Sequence, residues 1–186
     1  MTALSEAMTG EGCRAEPFTD DHRDALRSAC AEDRDIWAIY STPFDPDHFD
    51  ASIDKLRLNP ANRTFVLFDG EEPAGMSSFL GIDPERQVLE IGGTYYRPHL
   101  RGTGFNRRVK AMMLERAFAC GIRRVEFRVD RRNLRSQAAM KKLGAVREGL
   151  LRQDRITWTG HVRDTVLFAI LRDEWPVASA SATPAR

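Results

Sequence analysis

A chain of 186 residues, 42% hydrophobic and 30% charged, has the size and balance of one globular domain with a substantial core. No apolar run approaches the roughly 20 residues of a membrane span, which excludes an integral helical membrane protein. The net charge of +1 conceals polarity: residues 1–96 hold 8 Lys+Arg against 19 Asp+Glu, and residues 97–163 hold 18 against 5, so the second half suits an anionic ligand or simply complements the first.

The opening MTALSEAMTGEG has neither a basic start nor an apolar stretch of signal-peptide length, so a cytoplasmic protein with a flexible tail over 1–11 is expected. CRAEPF reads as a short first strand. In TDDHRDALRSACAE, Thr19 can cap, Asp20 and Asp21 suit a first helical turn, and Ala25, Leu26, Ala29 and Cys30 recur at helical spacing. Cys13, Cys30 and Cys120 are unclustered and odd in number, which points to free thiols rather than a disulfide framework or zinc site. DPDHFDASIDKLRL offers Asp45 as cap and Pro46 at the first helical position. RTFVLFDGEEPAGMSSFLGI is two strand-like runs about a glycine turn, and RQVLEIGGTYY is a third strand of that meander.

Further on, FNRRVKAMMLERAFACG places Val109, Met112, Met113, Ala117 and Phe118 on one helical face, and Gly121 stops it. IRRVEFRV alternates as a strand. NLRSQAAMKKLG is a short helix capped by Asn133 and closed by Gly144. AVREGLLR and DTVLFAIL are two last strands joined across QDRITWTGHVR, and VASASATPAR at 177–186 has the composition of a disordered tail. No internal repeat is present. The class is α/β or α+β with a mixed central sheet, in a single domain over 12–176.

HLRGTGFNRRVK, between the third meander strand and the long helix, gives up side chains at Gly102 and Gly104 and surrounds them with Arg101, Arg107, Arg108 and Lys110. At a helix N-terminus the backbone N–H groups point outward unpaired, and the helix dipole favours an anion such as phosphate. A plain turn before a helix explains the glycines equally well. The segment is not a Walker loop, and it lacks the third glycine of a dinucleotide fingerprint.

The succession strand, RGTG, helix, strand, then N-x-x-S opening a short helix that ends KKLGA resembles the GNAT superfamily of acyl-CoA-dependent N-acetyltransferases over Cys13 to Trp175. EIGGTYYRPHLRGTGFN, VEFRVDRRNLRS, KKLGAVREG and VRDTVLFAILRDEWP are similar to its Rim-type branch, which acts on ribosomal-protein N-termini and small amines. The resemblance implies a splayed parallel strand pair flanked by about four helices, with acetyl-CoA as cosubstrate and no metal. It implies backbone contacts from Thr94, Tyr95 and Tyr96 to the pantetheine arm. The pyrophosphate would lie on Leu100, Arg101, Gly102, Thr103, Gly104, Phe105 and Asn106, with Asn133 and Ser136 near the thioester. Gly92-Gly93 suits a bulge in that strand; Asn133 also suits a plain N-cap. Two places depart from the family: His99 stands where Gln or Arg is common, and Met140 stands where many members carry a tyrosine acid.

Acetyl transfer to an amine needs a base, because a primary amine is mostly protonated near neutral pH. It also needs a backbone donor for the developing oxyanion. Glu90 is the first candidate for the base, matching a family position. Asp154, at the start of the last hairpin's loop, is the second, and His161 the third. Tyr95, Tyr96 and Ser136 are candidates to assist the thiolate. Trp37, Tyr40 and Phe44 line an acceptor pocket or simply fill the core. The acidic first half, through Asp20, Asp21, Asp45 and Asp47, would attract a cationic acceptor. That acceptor is a small amine or a protein or peptide N-terminus, with no membrane partner and the oligomeric state open, a homodimer included. A catalytically weak acyl-CoA-binding protein, suggested by Met140, is the alternative reading. Nucleic-acid binding through RRVEFRVDRRNLR is disfavoured, since only Phe127 interleaves its arginines.

Overall fold

Alternation in TFVLF sends Phe65 and Leu67 into one apolar cluster and Val66 and Phe68 into another, so this strand is covered on both faces. That two-sided burial organises the computed structural model, which describes residues 2–176. The expected tail at 177–186 lies outside the described residues.

The strands are β1 (Met8–Gly10), β2 (Cys13–Pro17), β3 (Arg63–Asp69), β4 (Glu72–Asp83), β5 (Val88–Tyr96), β6 (Arg124–Asp130), β7 (Val146–Ile156) and β8 (Val162–Leu171). The helices are α1 (Arg23–Ala31), α2 (Phe49–Leu58), α3 (Phe105–Ala119) and α4 (Leu134–Leu143). One mixed sheet runs in the order β1-β2-β3-β4-β5-β6-β8-β7. The apolar residues of α1 and α2, with Trp37 and Tyr95, form one core. Those of α3 and α4 join Phe65, Phe79, Leu89, Ile91, Phe127 and Phe168 in the other. This is the mixed sheet with four flanking helices expected of the sequence.

The only parallel neighbours in the described sheet are β5 and β6, and they pair for three residues: Val88, Leu89 and Glu90 against Arg124, Val125 and Glu126. Beyond Glu90, β5 stays with β4 while β6 stays with β8 as far as Asp130, so the two strands part company. The register between β4 and β5 shifts where Met76 faces Tyr95 and Ser78 faces Gly92, with Gly93 at φ +58°. Gly92-Gly93 therefore carries the expected bulge.

Two expectations are corrected. The expected flexible tail over 1–11 is, from residue 2 onward, not free: Thr2–Ser5 form a 3-10 turn, and β1 pairs Met8 with Ala15. Leu4 and Met8 are buried in the core that α3 closes, and Arg116 donates to the carbonyls of Ala3 and Ala7. A three-residue strand is too short to show an alternation, which is why the sequence reads as a tail. The second helix starts at Phe49, not Pro46. The Asp45 carboxylate instead accepts from the Asp47 amide at 3.1 Å and meets His48 Nδ1 at 2.9 Å, a local turn that competes with helix.

Candidate active site

The parting of β5 and β6 opens a cavity of about 430 Å³. Its walls come from β5 between Glu90 and Tyr96, from β6 between Phe127 and Asp130, and from Asn106 and Lys110 of α3. Asn133, Ser136 and Met140 of the α4 region, the segment around Tyr40 and Phe44, Lys55 and Leu56 of α2, Leu80 of β4, and Arg155 and Arg163 of the last hairpin also line it.

At one end stands the turn before α3. Gly104 is the N-cap at φ +87° and Gly102 lies at φ +83°, left-handed conformations that favour glycine. A Cβ at Gly102 would meet nothing within 4 Å, so the turn needs its glycines for conformation and leaves open space over the helix start. Thr103 closes the turn, donating to the Leu100 carbonyl at 2.8 Å. Arg101 binds Asp33 through Nη1, while its Nη2 is buried without a partner. An unpartnered guanidinium nitrogen beside a helix N-terminus fits the diphosphate of a coenzyme. Of the residues expected on this ligand, Arg101 and Asn106 reach the cavity wall. Leu100 and Phe105 are core side chains, the latter fully buried against Tyr96 at a ring separation of 5.9 Å.

On α4, the Asn133 side chain accepts from the Ser136 amide at 2.9 Å, so the cap is real, and both residues also line the cavity. Thr94 and Tyr96 line it too. The Thr94 carbonyl already accepts from the Tyr40 hydroxyl at 2.7 Å. Tyr95 contributes backbone, but its hydroxyl donates to Ala29 at 2.8 Å within the core, so it is not placed to assist a thiolate. Tyr40 and Phe44 are cavity residues; Trp37 is buried against Tyr95 at 4.8 Å and belongs to the core.

Glu90 occupies the vertex, at the last parallel pair before the strands separate. Six residues of strand, about 20 Å, separate it from Tyr96 and the glycine turn. Its carboxylate folds back over Gly92, where an added Cβ would fall 2.5 Å from Oε1. Burial pushes this carboxyl above its ordinary range, while Arg155, Arg128 and Arg163 oppose that rise. Asp154 behaves differently. It is not part of the cavity wall; it accepts from Thr165 Oγ1 at 2.9 Å and from Arg155 Nε at 2.9 Å. Burial works to raise its pKa, but these bonds prevail and hold it below the usual carboxylate range, which makes it a poor base. Asp154, expected as a second candidate for the base, therefore does not share the cavity with Glu90. His161 is also absent from the wall, its carbonyl serving the hairpin turn at Thr157.

Lys110, one of the basic residues following the glycine turn, is not on the surface with the rest of that charge. It lies in the apolar stripe of α3, 4% exposed, with Nζ donating to Thr94 Oγ1 at 2.6 Å and 5.7 Å from the Phe127 ring centre. Thr94 Oγ1 meets Ser77 Oγ at 2.7 Å. Burial pulls the ammonium down to about 7, with Glu90 opposing. The available signal was a lysine inside an otherwise buried face, since lysine is almost never fully buried without a reason.

Nor does the acidic first half surround the opening. Asp20 is paired with Arg23 and Arg57, Asp45 with His48, and Asp47 with Arg34. None of these, nor Asp21, lines the cavity. Among the described residues, no group of three or more His, Cys, Asp or Glu is placed to hold a metal ion, and no helix is long and apolar enough to cross a membrane.

Comparison with known proteins agrees with this geometry. A family profile described as an acetyltransferase (GNAT) domain matches residues 14–146. A putative acetyltransferase from T. thermophilus is 33% identical, covers 92% of each chain and superposes with a TM-score of 0.83. A probable GNAT-family acetyltransferase from Chromobacterium violaceum is 30% identical over 92% of this chain and 88% of its own, with a TM-score of 0.85. Mycobacterium smegmatis RimJ, solved with CoA-disulfide, shares the fold at 19% identity, covering 94% and 91% of the two chains with a TM-score of 0.81. Among curated proteins, none matches the sequence.

Proposed function

The chain belongs to the GNAT acetyltransferase family, and from that premise we propose that it moves an acetyl group from acetyl-CoA to a primary amine in a ternary complex. The observation that carries this reading is Glu90 at the vertex of the parted strands, in one cavity with Lys110 and in line along β5 with the glycine turn. Acetyl-CoA supplies the activated thioester.

The protein's residues divide the remaining work. Arg101, Asn106 and the backbone of the turn from Leu100 to Asn106 hold the diphosphate, and Asn133 and Ser136 position the arm. Glu90 accepts the proton that the attacking amine must lose, directly or through one water; its raised pKa makes it a stronger base than an ordinary carboxylate. The bulge at Gly93 turns strand amides toward the reacting carbonyl as oxyanion donors. Lys110, as the ammonium, gives a proton to the departing sulfur. With a pKa of about 7, it lies below a cysteine-like thiol near 8.5, so that transfer runs downhill. Lys110 thus fills the role that Met140 leaves vacant. One proton enters at Glu90 and one leaves at Lys110; exchange between them through solvent restores the starting state. The acceptor is a small amine or a peptide N-terminus, met in the cytoplasm.

Binding without catalysis is the competing reading, favoured by Met140 in the cavity wall. Acetyl-CoA-dependent thiol release across a panel of primary amines separates the two. Release with at least one amine supports transfer. Thermal stabilisation by coenzyme A without release from any amine leaves only the binding role, and no stabilisation at millimolar coenzyme A removes both.

A further inference from the structure

Arg155 and Arg163 face each other directly across β7 and β8, and both line the cavity. Two like charges in opposed cross-strand positions destabilise a sheet unless something lies between them. Arg163 is the more demanding of the pair. It is 5% exposed, donates from Nη2 to the Arg128 carbonyl at 2.9 Å and from Nη1 to Ser41 Oγ at 3.3 Å, and its Nε is buried with no partner. A guanidinium with an unmet donor in a buried wall is suited to bind an anion. Arg155 binds Asp154 through Nε only, which leaves its terminal fork free to contribute. Arg128 adds a third positive charge, with its Nε 3.7 Å from Glu90 Oε2, its Nη2 3.3 Å from Glu126 Oε2 and its Nη1 3.9 Å from Asp154 Oδ1.

These charges surround the residue that takes the proton. Glu90 neutralises part of the cluster while ionised, and that charge vanishes when it accepts a proton. Three guanidiniums, Arg128, Arg155 and Arg163, then face two carboxylates, Glu126 and Asp154, and a neutral Glu90, one negative charge short in a half-buried site where Coulomb interactions are poorly screened. An acceptor that brings its own negative group supplies the missing counter-charge when it is needed. A polyamine would add to the excess instead. The acidic residues of the first half do not relieve this, because Asp20, Asp45 and Asp47 are committed to other partners outside the cavity.

We infer that the acceptor is a small amine that also carries a carboxylate or phosphate, with Arg155 and Arg163 gripping that anionic group while Glu90 faces the amine. This rests on the acetyl-transfer reading above and narrows it.

The test begins with protein saturated with coenzyme A, so that the diphosphate turn is already filled; thermal stabilisation by coenzyme A reports on that turn alone. Inorganic phosphate is then titrated in by calorimetry, and aminoalkyl phosphates and amino acids are compared as acceptors with the matched amino alcohols, amino amides and spermidine. Phosphate binding to the loaded protein, and a kcat/KM at least about tenfold higher for anionic than for matched neutral acceptors, are expected from one charge-assisted grip. Arg155→Gln, at the more exposed of the two positions, abolishes phosphate binding and reduces the preference below about threefold, with coenzyme A affinity unchanged. Arg163→Lys repeats the loss where it folds. The carboxylate and phosphate series tell the two anion types apart. No phosphate heat, equal binding by Arg155→Gln, or a preference for neutral amines or spermidine overturns the inference and leaves acetyl transfer standing. A failure of coenzyme A itself to bind brings down acetyl transfer, and the inference with it.

Discussion

Lys110 Nζ donates to Thr94 Oγ1 at 2.6 Å, joining the second turn of α3 to the strand that forms one rim of the cavity. The contact satisfies one donor of an ammonium that is otherwise enclosed by apolar neighbours of the α3 face. It holds a titratable amine where the sulfur of a bound thioester would lie in the proposed reaction.

The buried amine leaves a mark on stability. Its folded pKa of about 7 lies below the unfolded value near 10.4, so above about pH 7 the unfolded chain binds more protons than the folded one. The penalty is therefore fully present below about pH 7 and is relieved as pH rises, by on the order of 1 kcal/mol per unit. Lys110→Met should be more stable near neutral pH and should lack that slope. Denaturant melts of both proteins between about pH 7 and 8.5 measure the difference, and parallel curves would refute the depressed pKa.

Glu90→Gln removes the proposed base while keeping the shape. We expect kcat to fall by about 10²-fold or more, with the affinity for acetyl-CoA nearly unchanged. In the parent protein, kcat rises with pH through the Glu90 pKa, and burial places that rise above the ordinary carboxylate range. A pH–rate profile that keeps the same acidic limb in the Gln variant would assign the limb to another group.

Gly92→Ala acts on the same carboxylate from below. The new Cβ would fall 2.5 Å from Glu90 Oε1 and 2.8 Å from Leu80 Cδ1, and both side chains must move. The glycine turn is remote from this change. A fall in kcat of about tenfold or more with the acetyl-CoA KM held within about twofold is expected, as for a displaced catalytic group. Steady-state kinetics at saturating amine decide it.

Leu4→Ala tests the corrected N-terminus. Leu4 is 1% exposed and packs into the core with α3. A loss of roughly 2–4 kcal/mol is expected from urea unfolding, whereas a free tail would show no effect.

Most of the element order and the glycine turn were legible because each has a short-range cause, whereas the strand parting came only from the family resemblance. Phe65 to Phe68 show period 2, Val109 to Phe118 show period 3.6, and Gly102 and Gly104 mark left-handed backbone. Glu90 was singled out by its match to a family position, and its place at the vertex follows from the pairing of β5 with β6. Lys110 was hidden because its burial follows from how α3 rests on Thr94 and Phe127, which local pattern does not report. Arg155 and Arg163 were hidden because their opposition depends on the register of β7 against β8, which is shifted between Leu151 and Arg155. The bonds of Asp154 were hidden for the same reason: adjacency in sequence to a loop said nothing about Thr165 across the hairpin.

Three residue pairs fasten β5 to β6, so the sheet is two plates, one of five strands and one of three, sharing a short seam. Whatever lodges past that seam and bonds to both rims rivets the plates together. The resistance of such a body to unfolding then climbs with the concentration of its occupant, and the backbone amides along Ile91–Tyr96 and Phe127–Asp130 are where slower deuterium uptake would register the fastening.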